Sequence, residues 1–204
     1  MRGSRTISPT AAAVEFVPRN YFAPLDLGEL FRRAAPLEVD VGCGDGAYLA
    51  AIAAQNAEHN FLGIERLAGR VRSACNKIAR SRLENTRVVL IDAGYAVAYL
   101  LPAQCVTTFH ILFPDPWPKR RHQRRRVLEQ PFFDALARAL VPGGTVRIAT
   151  DQADYFEEIR EAASGVFAVE DADGNTFRST FEQRYEGDGV PIYRLLLRKV
   201  PAVR

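Results

Sequence analysis

The chain has 204 residues, 48% of them hydrophobic and 25% charged, a balance that suits one globular core and excludes disorder, collagen and coiled coil. No apolar run approaches the roughly 18 residues that span a bilayer, and the opening Met1-Arg2-Gly3-Ser4-Arg5 leads into no signal-peptide core; a cytoplasmic protein without membrane attachment is expected. The net charge of only +3 conceals a very uneven distribution along the chain.

In chain order, residues 1–20 are rich in Ser, Thr, Pro and Arg and read as a flexible tail that orders only on contact, ahead of a single domain over 21–204. A short helix is expected over 27–35, a strand over 37–41 and an alanine-rich helix over 45–55. Next come a strand at 61–64, a helix at 67–82 with Val71, Cys75, Ile78 and Ala79 at helical spacing, and a strand at 86–91. A short helix at 95–101 precedes a strand at 106–112 and a helix at 131–140, which Pro142-Gly143-Gly144 should end. A fifth strand follows at 145–149 and a helix at 155–163. Strands at 166–169 and 192–197 have no helix between them, the mark of an antiparallel hairpin. The alternation implies an α/β, mostly parallel sheet of seven strands with helices on both faces, and ligands beyond the carboxyl ends of the strands.

Cys43, Cys75 and Cys105 are odd in number and widely spaced, which fits neither a disulfide framework nor a zinc site, so reduced thiols are expected. His59, His110 and His122 are scattered without paired ligand spacing or an acidic partner nearby; structural or surface roles and no metal are expected.

Lys119, Arg120, Arg121, Arg124, Arg125 and Arg126 place six cations within eight residues with no carboxylate among them. The remainder has 21 basic against 24 acidic residues, a net of −3. A charge run is ordinarily a solvated face, but like charges this dense repel one another unless a polyanion neutralises them, which favours nucleic acid as a partner.

The residues after the strands carry the chemistry. Asp40-Val41-Gly42-Cys43-Gly44-Asp45-Gly46 is a glycine-rich turn entering a helix; the second strand ends at Glu65, 19 residues beyond Gly46, and the third at Asp92-Ala93-Gly94. Two cofactors compete for this arrangement. Gly42, Gly44 and Ala47 satisfy a relaxed dinucleotide fingerprint with Glu65 at the ribose, which would give a dehydrogenase. S-adenosylmethionine has no pyrophosphate, is cationic at sulfur and at its α-amino group, and needs an acceptor for its adenine amine. Acids therefore favour it: Asp40 and Asp45 flank the glycines, Glu65 suits the ribose and Asp92 the adenine, whereas clustered carboxylates would repel a pyrophosphate.

After the fourth strand the chain reads Phe113-Pro114-Asp115-Pro116-Trp117-Pro118-Lys119-Arg120-Arg121-His122, a carboxylate fixed between prolines beside the sole tryptophan and the cationic run. Here the sequence resembles the tRNA (guanine-N7-)-methyltransferase family, whose signature at this point is a Phe-Pro-Asp-Pro-Trp loop followed by Lys, Arg and His. The likeness extends to the glycine loop, Gly63-Ile64-Glu65, Asp92-Ala93, Thr150-Asp151 and Ser179-Thr180-Phe181-Glu182-Gln183-Arg184. It covers residues 37–199. Two positions depart from the family pattern, which commonly has Glu where Asp40 stands and Thr where Ser179 stands.

The resemblance implies a Rossmann-like class I methyltransferase that moves the methyl group of S-adenosylmethionine to N7 of the guanine at position 46 in the tRNA variable loop. It implies Asp115 as the catalytic residue, with Asp40, Gly42, Gly44, Glu65, Asp92, Ala93 and Asp115 at the cofactor, Asp40 either directly or through water. Lys119, Arg124, Arg125, Asp151, Ser179 and Glu182 are implied at the tRNA. A different RNA, protein or metabolite acceptor, a noncatalytic tRNA-binding module, and a monomer or a homodimer all stay open at this point.

Overall fold

A computed structural model describes residues 9–115, 128–171 and 187–200. Its centre is a seven-stranded sheet in the order β3-β2-β1-β4-β5-β7-β6. β1 (Leu37–Val41), β2 (Asn60–Glu65), β3 (Thr86–Leu90), β4 (Val106–Leu112) and β5 (Leu140–Thr150) run parallel, while β7 (Tyr193–Lys199) lies antiparallel between β5 and β6 (Phe167–Asp171). The expected antiparallel pair is therefore present, with β7 inserted beside β5 rather than at the edge. β1 and β2 are buried throughout, as strands covered on both faces must be. The chain winds one way from β1 through β2 to β3 and the other way from β1 to β4 and β5, so the switch point lies between β1 and β4. That is where such sheets leave a crevice.

Side chains divide between the two faces with the strand period. Leu37, Val39 and Val41 join one core with α5 (Ala93–Tyr95), α6 (Gln130–Ala139) and α7 (Ala153–Ser164). The other face carries α3 (Ala47–Gln55), α4 (Ala68–Arg80) and the short α1 (Pro9–Ala12), closing over Phe61 and Val88. α4 is strongly amphipathic: Val71, Ala74, Cys75 and Ile78 are its buried stripe.

Four features differ from the sequence expectations. The described part of the expected tail is packed: Ala11 and Val14 are buried, and Phe16 N–H donates to Val88 O at 2.8 Å while Val88 N–H donates to Val14 O at 3.0 Å, which covers the edge of β3. The helix expected over 27–35 is a single turn, α2 (Leu27–Leu30), capped by Asp26. Pro142-Gly143-Gly144 ends no helix; α6 stops at Ala139 and β5 begins at once, with a register shift that pairs Val106 with Leu140 and Thr108 with Thr145. The glycines thus sit in a bulge. Finally, α5 continues as a π-helical turn over Ala96–Leu100, and the Arg138 guanidinium donates to the carbonyls of Val97, Ala98 and Leu101 at 2.8, 3.2 and 2.9 Å, satisfying C-terminal carbonyls that a helix end leaves without an internal partner.

Candidate active site

The crevice at the switch point is a cleft of about 470 Å³ lined along the carboxyl ends of β1, β2, β3 and β4 by Gly42, Glu65, Asp92, Ala93, Phe113 and Asp115, among others. The glycine turn shapes its floor. Gly44 takes φ +57° and Gly46 φ +73°, conformations that side chains other than glycine rarely adopt. At Gly46 a Cβ would also lie 2.7 Å from the Ala74 Cβ, so the start of α3 and the middle of α4 touch only because that position is bare.

Glu65 locks this turn. Its Oε2 accepts from Gly44 N–H at 3.1 Å and its Oε1 from Leu67 N–H at 2.8 Å, leaving each oxygen a further acceptor site. Asp40 is 4% exposed and lies outside the cleft lining. Burial, reinforced by the Glu65 charge, pushes its carboxyl up to about 7, so it stands behind the floor with a proton that a nearby cation would displace. Asp45 turns away instead: its Oδ2 accepts from Lys77 Nζ at 2.8 Å and its Oδ1 from Ala47 N–H at 3.1 Å.

Asp92 does two things at once. It caps α5 by accepting from Tyr95 N–H at 3.1 Å through Oδ1, and it lines the cleft with Ala93. Asp115 forms the opposite lip, its side chain 71% exposed and its Oδ2 3.7 Å from the Arg66 guanidinium. Asp151, at the end of β5, is outside the lining and accepts from Gln152 Nε2 at 2.9 Å. The structure thus brings Gly42, Glu65, Asp92, Ala93 and Asp115 to one cleft, with Asp40 and Gly44 immediately behind it and Asp151 one strand further along. Lys119, Arg124, Arg125, Ser179 and Glu182 lie outside the described residues.

Three features had not been singled out from sequence. Arg66 and Arg70 line the cleft; the signal for them was their position straight after the Glu65 strand end. Phe113 has φ +51°, a strained backbone for an aromatic residue at the strand end that leads to Asp115. Two of the histidines, His59 and His110, do have an acidic partner: Glu38 accepts from His59 Nδ1 at 2.6 Å and from His110 Nε2 at 2.7 Å, and His110 Nδ1 lies 2.9 Å from the Tyr48 hydroxyl. Burial would raise the Glu38 carboxyl, but its bonds with His110 and His59 hold it below the usual range. Burial keeps His110 below its usual value; its Nε2–H serves Glu38 and its Nδ1 accepts from Tyr48. This buried chain ties β1, β4 and the first turn of α3 together beneath the glycine turn. Among the described residues no group of His, Cys, Asp and Glu is arranged to hold a metal ion, and no helix is long and apolar enough to cross a membrane. All three cysteines are free; burial raises Cys43 well above, Cys75 to about 12 and Cys105 to about 11, so none offers a thiolate.

The strand order, the switch-point cleft and its acids define a Rossmann-like methyltransferase fold. Solved structures agree on the fold: the antibiotic-resistance methyltransferase Kmr superposes with a TM-score of 0.60 at 20% identity over 88% of this chain and 93% of its own. A SAM-dependent methyltransferase from Aquifex aeolicus superposes with a TM-score of 0.56 at 17% identity over 85% and 87%. A family model described as "Putative methyltransferase" matches residues 34–194. The tRNA (guanine-N(7)-)-methyltransferase of Nitrosospira multiformis is 36% identical over 86% of this chain and 80% of its own. Those of Halorhodospira halophila and Thermotoga maritima are 44% and 35% identical over 65% and 91% of this chain. The chain belongs to the tRNA (guanine-N(7)-)-methyltransferase family. The match spans 58% and 61% of the length of the Halorhodospira and Thermotoga proteins.

Proposed function

We propose that this protein transfers the methyl group of S-adenosylmethionine to N7 of a guanine in tRNA, the guanine at position 46 of the variable loop being the target that the family likeness favours. The observation that carries this reading is the pairing of a carboxylate-lined cleft with a glycine turn locked to Glu65. The donor set fits a ligand with a positive centre, ribose hydroxyls and an amine, and opposes a pyrophosphate. Glu65, with one free acceptor site on each oxygen, would hold ribose hydroxyls; Asp92, beyond its capping bond, would accept the adenine amine beside Ala93; Gly42 leaves room for the chain of the ligand. Asp40 and Gly44 act from behind the floor, Asp40 by electrostatics and Gly44 by fixing Glu65.

S-adenosylmethionine supplies a methyl group on a cationic sulfur, which a neutral nucleophile can displace. Guanine N7 presents an in-plane lone pair and no proton, so the chain needs no general base. Its task is placement, an effect worth on the order of 7–11 kcal/mol when the geometry is right. Asp115 performs it by accepting from N1–H and the exocyclic amine of guanine, a donor pair that adenine lacks, and its charge also favours the cationic purine that results. Arg66 holds that carboxylate at the lip until the base arrives. Asp151, Ser179 and Glu182 are assigned further guanine contacts, and Lys119, Arg124 and Arg125 phosphate contacts. The base must leave its stack to enter, at a few kcal/mol. A cytoplasmic site of action, no metal, and activity as a monomer or homodimer complete the reading.

The test is incubation of the protein with unmodified tRNA transcript and S-adenosylmethionine, followed by digestion and mass spectrometry of the nucleosides. 7-Methylguanosine at one site in the variable loop is the expected product. Methylation of another nucleoside, or none although both substrates bind, would overturn it.

A further inference from the structure

From Arg66 to Leu83 the chain carries Arg66, Arg70, Arg72, Lys77, Arg80 and Arg82 and no carboxylate. This stretch is built on α4, 13 residues long and hence about 20 Å end to end. Its start lies at the methyl-transfer cleft, which Arg66 and Arg70 line. Its end lies at a second cleft of about 680 Å³ at the opposite end of the sheet, where Ala79, Arg82 and Leu83 meet Arg32, Arg33 and Arg87. Glu84 is the sole acid in that lining.

The helix dipole accounts for part of this charge. Lys77 and Arg80 occupy the last turn of α4, where cations are favoured. Arg70 and Arg72 sit near its first turn, where they are disfavoured, and Leu67 at the N-cap makes no side-chain bond. Internal neutralisation accounts for only part of the rest: Arg66 lies 3.7 Å from Asp115, Lys77 pairs with Asp45 at 2.8 Å and Arg33 with Glu58 at 3.3 Å, whereas Arg32, Arg72, Arg80 and Arg82 are exposed and have no ion-pair partner among the described residues. Arg87 is set in place rather than trailing in solvent: its guanidinium lies 6.0 Å from the Phe31 ring centroid, and its Nη1 donates to the Glu84 and Thr86 carbonyls at 3.1 and 2.8 Å. Burial and the neighbouring Arg32 charge both press on its pKa, a repulsion that a bound anion would relieve.

We propose that α4 is a track for RNA phosphates that runs from the methyl-transfer cleft to the arginine-lined cleft at the other end of the sheet, so that one tRNA is held at both. The proposal rests on the tRNA reading above. Cations strung along a helix suit a continuous backbone, whereas a free nucleotide would engage one end of the row. The track leaves the target base free to enter the cleft while the rest of the molecule is gripped elsewhere.

The experiment compares wild type with Arg72→Ala/Arg80→Ala/Arg82→Asn, Asn being chosen because residue 82 has φ +53° and Asn tolerates that region. Binding of tRNA is measured against salt, alongside methylation kinetics and S-adenosylmethionine affinity. Loss of three phosphate contacts should weaken tRNA binding at least about tenfold at physiological salt and make the log–log salt slope shallower by about 2. KM for tRNA should rise, with kcat and cofactor affinity within about twofold of wild type. The triple Arg→Lys variant should keep the salt slope, which a merely structural role would not require. A stem-loop too short to pass along α4 should bind both proteins equally. An unchanged slope in the neutral variant, or an equal loss on stem-loop and tRNA, would overturn the track. If wild type binds tRNA but makes no 7-methylguanosine, the functional reading fails while the slope still scores the track.

Discussion

Among the described residues, the two clefts at opposite ends of the sheet differ in the sign of their charge. At the carboxyl end Glu65, Asp92 and Asp115 line the cleft, with Arg66 and Arg70 beside them. At the other end Arg32, Arg33, Arg82 and Arg87 surround Asn60 and Asn85. Strand interiors are fixed by packing; the residues just outside them are free to carry chemistry. One end therefore suits a small cationic ligand and the other a polyanion, and the proposed transfer from a sulfonium donor to RNA requires both.

Breaking the acidic end should have the largest effect. Asp115→Ala is expected to lower the rate of 7-methylguanosine formation by at least about 100-fold, with calorimetric cofactor affinity within about twofold. A rate near wild type would make Asp115 no different in kind from the surrounding surface acids. Next in size is Gly46→Val, which drives a branched side chain into Ala74 at a position of φ +73° and should destabilise by about 3 kcal/mol on chemical denaturation. An unchanged midpoint would mean that the glycine turn does not set the approach of α3 to α4.

Two smaller effects separate the acids of β1. Folded Asp40 holds its proton up to about 7 against an ordinary value of 3.8, so the stability it contributes is present below about 4 and is lost as pH rises towards 7. Asp40→Asn should then gain melting temperature over wild type at pH 8 and little at pH 4. Glu38 and His110 have the opposite sign: both are held below their ordinary values of 4.5 and 6.5, so the contribution of His110 is present above about 6.5, that of Glu38 above about 4.5, and each is lost on further acidification. His110→Gln should be the less stable protein at pH 8 and show a flatter decline between pH 7 and 5. A parallel decline in the two proteins would remove His110 from that pH dependence.

Much of this was legible in sequence where hydrophobic period and strand-end chemistry agree. The run Val106–Leu112 forms β4 with the expected bounds, and Glu65, Asp92 and Asp115 meet in one cleft because each sits at or within three residues of the carboxyl end of a parallel strand. What escaped depended on contacts between distant segments. Pro142-Gly143-Gly144 looks like a helix stop, yet pairing of Leu140 with Val106 extends β5 through it. His59 and His110 look unpartnered until the sheet brings both to Glu38 from 21 and 72 residues away. The packing of Val14 against β3 had no local signal either, since a bridging backbone needs no side-chain pattern. The cations of α4 were in plain view, overshadowed by the denser run at 119–126.

The most direct test of the acidic cleft is calorimetric titration of wild type and Glu65→Gln with S-adenosylmethionine and, separately, with NAD. An amide at residue 65 would set one NH₂ against the Gly44 or Leu67 N–H that the carboxylate now accepts. Wild type should bind S-adenosylmethionine one to one and leave NAD unbound, and Glu65→Gln should lose at least about tenfold in affinity. Tight NAD binding, or an unaltered S-adenosylmethionine isotherm in the variant, would contradict the assignment.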